Sequence, residues 1–242
     1  MNRRFLCPEI PPVGEPVQLS LQESYQLRTI LRLRREEEVT LLDGLGTVAT
    51  ALASPSGGRR DPVGCTIQGV ETCVAPDTRL VLAVAPPRAK QMSRLVRQAT
   101  ELGVGAIHPI TTSHSVSQHD ADAVEGWRVD AIEAIKQSGN PYLPEIHPAA
   151  RFIDVVKSTS APAYVGWVPN QPVAGEEPHT AESVRRTGEV WLWIGPEGGF
   201  APEEITALRE CGARPLSIGR WTLRVETATI AALSWLTTHH AG

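Results

Sequence analysis

"WLWIGPEGGFAPEE", residues 191–204, passes from an apolar strand through bare backbone into the start of a helix. Residues 190–194 form an unbroken apolar run, the pattern of a strand buried on both faces. Gly195-Pro196-Glu197-Gly198-Gly199 ends it. Glycines where a strand hands over to a helix let main chain approach a ligand or take a positive φ. Beyond them, Pro202 suits a first helical position and Glu203 and Glu204 complement the positive helix end. Ile205 and Leu208 should face inward, and Gly212 should end the helix. The stretch is one strand–loop–helix unit.

The same rhythm extends in both directions. "RLVLAVA", from Arg79, is a second continuous apolar run, and "RAKQMSRLVRQATELG" follows it. That segment sets Met92, Leu95, Val96, Ala99 and Leu102 on one helical face, with Gly103 as the stop. "AIHPI" predicts a strand, residues 121–138 a helix, "AYVGWV" and "RPLSIG" further strands, and "ETATIAALSWLTTHH" a last helix. Strands alternating with helices predict a parallel α/β sheet covered on both faces.

The first seventy or so residues differ. "EPVQLS", "EEEVTLLDG", "TVATALAS" and "PVGCTIQGVE" predict short strands with turns at Asp43-Gly44 and Ser56-Gly57-Gly58, interrupted by one helix over residues 22–31. That composition predicts a small barrel-like β domain over residues 1–72, joined by a linker at 71–78 to an α/β domain over 73–242.

Composition narrows the function classes. No run approaches eighteen apolar residues, and "MNRRFLCPEIPPVGEP" has no apolar signal core, so no membrane span or secretory signal is expected and the cytoplasm is the expected location. Cys7, Cys65, Cys73 and Cys211 lack zinc-type spacing, so no metal is expected and they read as small buried hydrophobes. Net charge is −4, but arginine supplies nearly all the positive charge, with Arg28, Arg32, Arg34 and Arg35 clustered in "LRTILRLRREEEV". On charge alone this is a solvated surface partly neutralised by the following glutamates. Arginine's planar fork also suits phosphate and base edges.

Two strand exits stand out, since open α/β sheets bind ligands at the carboxyl ends of their strands. One is residues 195–199; the other is 219–227, "GRWTLRVET", which carries Arg224, Glu226 and Thr227 to a helix start. The first fits neither a phosphate loop nor a dinucleotide fingerprint, and no lysine follows it. Spacing alone leaves a structural turn and a ligand loop level. The pairing of two such loops favours a ligand read by main-chain hydrogen bonds, without identifying it.

"IGPEGGFAPEE" followed by "LSIGRWTLRVETATIAAL" closely resembles the carboxy-terminal signature of the small-subunit ribosomal RNA methyltransferase E family. The resemblance covers nearly the whole chain: "MNRRF", "LRTILRLRREEEVTLLDG", "RQATELGVGAIHPITTSHSV" and "WRVDAIEAIKQSGNPYLPEI" are each similar to family segments in the same order. It implies a trefoil-knotted α/β methyltransferase domain of the SPOUT superfamily with a parallel sheet, preceded by a PUA-like β-barrel that binds RNA. It further implies transfer of a methyl group from S-adenosylmethionine to N3 of a uridine in 16S rRNA, in the small (30S) subunit or its precursor, by a cytoplasmic homodimer that uses no metal. On this reading the cofactor lies among Val168, Pro169, Ile194, Gly195, Pro196, Glu197, Gly198, Gly199, Ile218, Gly219, Thr222, Leu223, Arg224, Glu226, Thr227 and Ala228. Leu233 and Trp235 become candidates for dimer packing as well as for core.

The chemistry the resemblance implies assigns roles. Uracil N3 lies on the pairing edge and carries a proton, so the target must be unpaired, and its deprotonation spreads charge that a guanidinium stabilises. Arg224 is the candidate for that guanidinium and Glu197 for the proton acceptor, against a purely structural salt bridge between Arg224 and Glu197 or Glu226. Arg3, Arg4, Arg28 and Arg32 match the family's basic RNA-binding positions. Gln98, Asn140 and Trp221 stand where relatives commonly carry basic residues, which bears on RNA contacts more than on the cofactor. The competing expectations are a non-catalytic RNA-binding protein of this fold and a related enzyme acting on transfer RNA.

Overall fold

The computed structural model describes residues 3–58, 60–115, 121–167 and 188–240. It divides into two compact units, Met1–Ala75 with Ile132–Leu143, and Pro76–Ala131 with Pro144–Gly242. A boundary drawn along the sequence, such as 72/73, has no means of assigning residues 132–143 to the amino-terminal unit.

In the first unit, β1 (Arg4–Leu6), β2 (Pro16–Gln18), β3 (Glu37–Leu42), β4 (Thr47–Ala53) and β5 (Gly64–Thr72) form a five-stranded sheet of order β1-β3-β4-β5-β2. β1 pairs parallel with β3 and the other pairings are antiparallel. Alternation sets the register: Ala49, Ala51 and Ala53 of β4 are buried together with Val39 and Leu41 of β3. The β3–β4 turn is tied by Asp43, whose Oδ1 accepts the N–H groups of Leu45 at 2.7 Å and Thr47 at 2.8 Å. The helix predicted over 22–31 is two pieces. A short α1 (Leu21–Tyr25), capped by Ser20, continues as a π-turn over Gln26–Ile30, with the Leu31 N–H bonding the Gln26 carbonyl. β1 was not expected from the sequence.

The second unit holds β6 (Thr78–Val84), β7 (Ala106–Thr111), β8 (Glu145–Ile146), β9 (Ala150–Arg151), β10 (Ala163–Gly166), β11 (Gly188–Ile194) and β12 (Ala213–Leu216). The strand order is β12-β10-β11-β6-β7-β8, with β9 also on β7, and every pairing is parallel. Its helices are α2 (Ala89–Glu101), α3 (Ala121–Ser138), α4 (Phe152–Ser158), α5 (Pro202–Glu210) and α6 (Val225–His240). α3 runs on into the first unit. β6 and β11 are buried on both faces, as their apolar runs predict. Val81, Ala83, Trp191 and Trp193 share a core with Phe152, Val155 and Phe200. The strand residues between them point to the opposite face. There α6 packs on α2, β10 and β11. Leu233 is fully buried within the chain, which makes it core and removes it as a dimer-packing candidate. Trp235 meets Tyr164 edge-on at 6.5 Å.

His108 on β7 stacks on His147 with ring centroids 3.8 Å apart and lies 4.8 Å from Trp191. Burial, and next the charge of His147, lower its pKa to about 4. The unfolded chain therefore takes up a proton near the ordinary 6.5 that the folded chain refuses. The stability present above 6.5 is lost as pH falls toward about 4. Urea unfolding at pH 7 and pH 5 is expected to show His108→Phe removing on the order of 1–2 kcal/mol of the wild-type difference, allowing for solvent screening.

Candidate functional site

All strands of the second unit run the same way, so the ends of β10, β11 and β12 emerge at one edge of the sheet. Ile194 closes β11 with its carbonyl accepting the Ala85 N–H at 2.9 Å, and the chain then turns. The Pro196 carbonyl accepts the Gly199 N–H at 2.8 Å, and Gly199 sits at φ 73. Gly195 has a different constraint. A Cβ there would lie 3.1 Å from two ring atoms of Phe200, itself buried against Phe152 at a centroid distance of 5.5 Å. The bare backbone of residues 195–199 is thus required by one positive φ and one close approach.

The turn is fixed from outside by two residues. Glu204 is buried; its Oε2 accepts the Ala201 N–H at 2.8 Å, and its Oε1 accepts the Ser113 N–H at 2.8 Å and the Ser113 hydroxyl at 3.1 Å. This is one half of a capping box, since Ala201 has no side-chain acceptor to complete it. His114 Nδ1 lies 3.1 Å from the Gly199 carbonyl oxygen, and the His114 side chain packs over Gly198. Glu204 and His114 are therefore supports of the loop. An acidic residue in the first helical turn announced only the helix start; its bonds to Ser113 depend on tertiary structure.

The second turn, 217–224, leads from β12 into α6, and it faces the first across a single cleft of about 590 Å³, its open mouth included. Ile194, Gly195, Pro196, Glu197 and Gly199 line one side. Ile218, Gly219, Thr222, Leu223 and Ala228 line the other. Residues the sequence did not assign to the cofactor complete it: Gly166 and Trp167 from the end of β10, Phe200, Val225 and Trp221, the last expected only to bear on RNA contacts. Arg224 and Glu226 line an adjoining recess with Pro87, Arg88, Gln91 and Glu197, so Glu197 borders both spaces. Gly198 and Thr227 line neither. Val168 and Pro169 lie outside the described residues. Among the described residues no ion pair joins Arg224 to Glu197 or Glu226, and Arg224, Glu197, Arg220 and Trp221 are all exposed.

The arginines predicted for the first unit have distinct surroundings. Arg3 pairs with Glu37. Arg4 donates to the carbonyls of Lys136 at 3.2 Å and Gln137 at 3.0 Å, closing the last turn of α3. Arg28 donates to the carbonyls of Ser56 at 2.6 Å, Gly57 at 3.0 Å and Pro62 at 3.3 Å, so its guanidinium ties down the backbone at those three residues. Arg32 is exposed and carries a positive φ of 58. Of the positions expected to depart from the family's basic residues, Asn140 accepts the Tyr142 N–H at 3.0 Å within a turn, and Gln98 lies in α2.

Chemically, the cleft offers main-chain groups between apolar walls, while the adjoining recess offers two guanidinium groups and two carboxylates. Among the described residues no three His, Cys, Asp or Glu side chains are grouped to hold a metal, and no helix is long and apolar enough to cross a membrane.

A family profile described as an RNA methyltransferase domain matches residues 75–237. The chain is 32% identical over 177 residues to the Ribosomal RNA small subunit methyltransferase E of Aquifex aeolicus, covering 72% of this chain and 75% of that one. It is 28% identical over 226 residues to the protein of the same name from Synechocystis, covering 90% and 71%. Among solved structures, a Legionella pneumophila protein assigned as a methyltransferase, in complex with the cofactor SAM, superposes with a TM-score of 0.86 at 27% identity over 98% of each chain. A Neisseria gonorrhoeae structure at 24% identity and TM-score 0.85, also over 98% of each chain, shares the fold.

Proposed function

The chain belongs to the ribosomal RNA small subunit methyltransferase E family, and we propose from that membership and from the cleft that it methylates N3 of a uridine in 16S rRNA using S-adenosylmethionine. The single observation that carries the reading is the meeting of the two strand exits in one cleft walled by bare main chain. The SAM-bound Legionella relative supports the choice of cofactor.

The residues fit that group. A Cβ at Gly195 would crowd the Phe200 ring at 3.1 Å, and the residue lines the wall with bare backbone. Ile194, Phe200, Leu223 and Val225 offer apolar surface to an adenosine, and among the described residues no lysine lines the cleft. When bound, S-adenosylmethionine supplies a methyl group already activated on a sulfonium. The chain's own work is then to position the acceptor and to handle one proton. Glu197, bordering both spaces, is assigned to take the proton from uracil N3. Arg224 is assigned to stabilise the negative charge that its loss spreads over N3 and the flanking carbonyls. Arg88, in the same recess, adds a second positive charge toward an RNA phosphate.

We further propose that the carboxy-terminal segment threads a trefoil knot, that the five-stranded sheet is part of a PUA-like barrel binding RNA, and that the active form is a cytoplasmic homodimer. Of Arg3, Arg4, Arg28 and Arg32, the last is the one that is exposed and without an ion pair or backbone bond among the described residues, and it is assigned to meet phosphate.

The test is transfer of radiolabelled methyl groups from S-adenosylmethionine to small subunits prepared from a strain lacking the modification. Digestion and mass spectrometry are expected to return N3-methyluridine from 16S rRNA. Label in transfer RNA alone would shift the substrate; no label, with the cofactor bound, would make the protein a non-catalytic binder.

A further inference from the structure

Trp221 is 74% exposed, whereas Trp127, Trp191 and Trp193 are buried and Trp167 and Trp235 are half-buried. One exposed aromatic ring is ordinary on a protein surface. This one has a particular place: it lines the cleft from the turn between β12 and α6, on the side of Thr222 and Leu223. Arg220 beside it and Arg224 three residues on are both exposed. Among the described residues nothing covers most of this side chain, so folding gains little from it there.

A nucleobase that has left its stack presents a flat π-face, and an indole flanked by guanidinium groups matches it: the ring takes the face and the cations take the phosphates. We infer that Trp221 is a base-stacking platform that receives the unpaired acceptor nucleotide at the cleft mouth and so sets affinity for the RNA substrate. The inference rests on the methyl-transfer reading above. It separates Trp221 from Arg224: the tryptophan acts in capture of the base, the arginine in its reaction.

The experiment compares wild type with Trp221→Phe and Trp221→Leu. In methyl transfer to unmodified small subunits, Trp221→Leu is expected to raise KM for the subunit roughly ten- to a hundredfold, with kcat changed far less. Trp221→Phe, which keeps a flat ring, is expected to stay within about threefold of wild type. Since Trp221 also lines the cofactor cleft, calorimetric affinity for S-adenosylmethionine is expected to change by no more than a few-fold, far less than KM for the subunit, and the sedimentation coefficient is expected to be unchanged in both. A uridine-rich single-stranded RNA decamer is expected to quench tryptophan emission strongly in wild type and markedly less in Trp221→Phe, where half-buried Trp167 is the remaining indole of the cleft. Equal quenching in the two proteins would overturn the inference, as would a wild-type KM in Trp221→Leu or equal losses in both variants. A shift in sedimentation would reassign the ring to contact with a second copy of the chain, and would equally overturn it. Absence of cofactor binding in the wild type would instead strike the reading of the cleft itself, and this inference with it.

Discussion

Arg224→Ala is expected to lower kcat for methyl transfer by roughly two to three orders of magnitude while leaving calorimetric affinity for S-adenosylmethionine near the wild-type value. The reason lies in where the residue stands. It lines the polar recess beside the cleft, and among the described residues no carboxylate stands within ion-pair distance of it. Its charge is therefore free to act on a negative centre that develops only as the acceptor loses its proton. An interaction absent from the ground state and present in the transition state appears in kcat. Arg224→Lys retains the charge and loses the planar fork, so its rate is expected to fall between those of wild type and alanine. Single-turnover kinetics with saturating small subunits is the measurement. A kcat for Arg224→Ala within a few-fold of wild type would return Arg224 to a surface role.

How much of this was legible in the residues varies with the physical scale of each feature. β6 and β11 are continuous apolar runs, and the sheet buries them on both faces. α2 places Met92, Leu95, Val96 and Ala99 in the core as its periodicity requires, while Leu102, at the helix end, is only half-buried. α4, β8 and β9 escaped because two- and seven-residue elements are too short to establish a period. The π-turn after α1 escaped for a related reason: one extra residue per turn leaves no compositional mark. Convergence is harder still. Gly166, Trp167, Phe200 and Arg88 reach the site from separate strand ends, and only the parallel order of the sheet brings those ends together. Local pattern gave two loops of undecided purpose; the resemblance supplied the ligand. Charge clustering, for its part, did not separate Arg28, whose two terminal nitrogens donate to three backbone carbonyls, from Arg32, which is exposed.

Gly195→Val is expected to raise the dissociation constant for S-adenosylmethionine by more than about a hundredfold, a change of roughly 3 kcal/mol. The first atom added already meets a neighbour, since a Cβ would stand 3.1 Å from Cδ2 and Cε2 of Phe200. That ring is 6% exposed and wedged against Phe152, which in turn meets Trp193 edge-on at 5.6 Å, so it has little room to retreat. The residue lines the cleft beside Ile194 and Pro196, so on the proposed reading the two valine methyls take space there that the cofactor would fill. Overpacking of this kind also costs stability, about 1–3 kcal/mol, which far-UV circular dichroism and a thermal melt must separate from the binding loss. Gly195→Ala provides the graded comparison: it adds the close contact without the two methyls, and is expected to weaken binding several-fold with the fold intact. Titration calorimetry on all three proteins decides the matter. If the valine variant remained folded and bound the cofactor as tightly as wild type, main chain at residue 195 would not be part of its wall, and the ligand would have to lie elsewhere along the sheet edge.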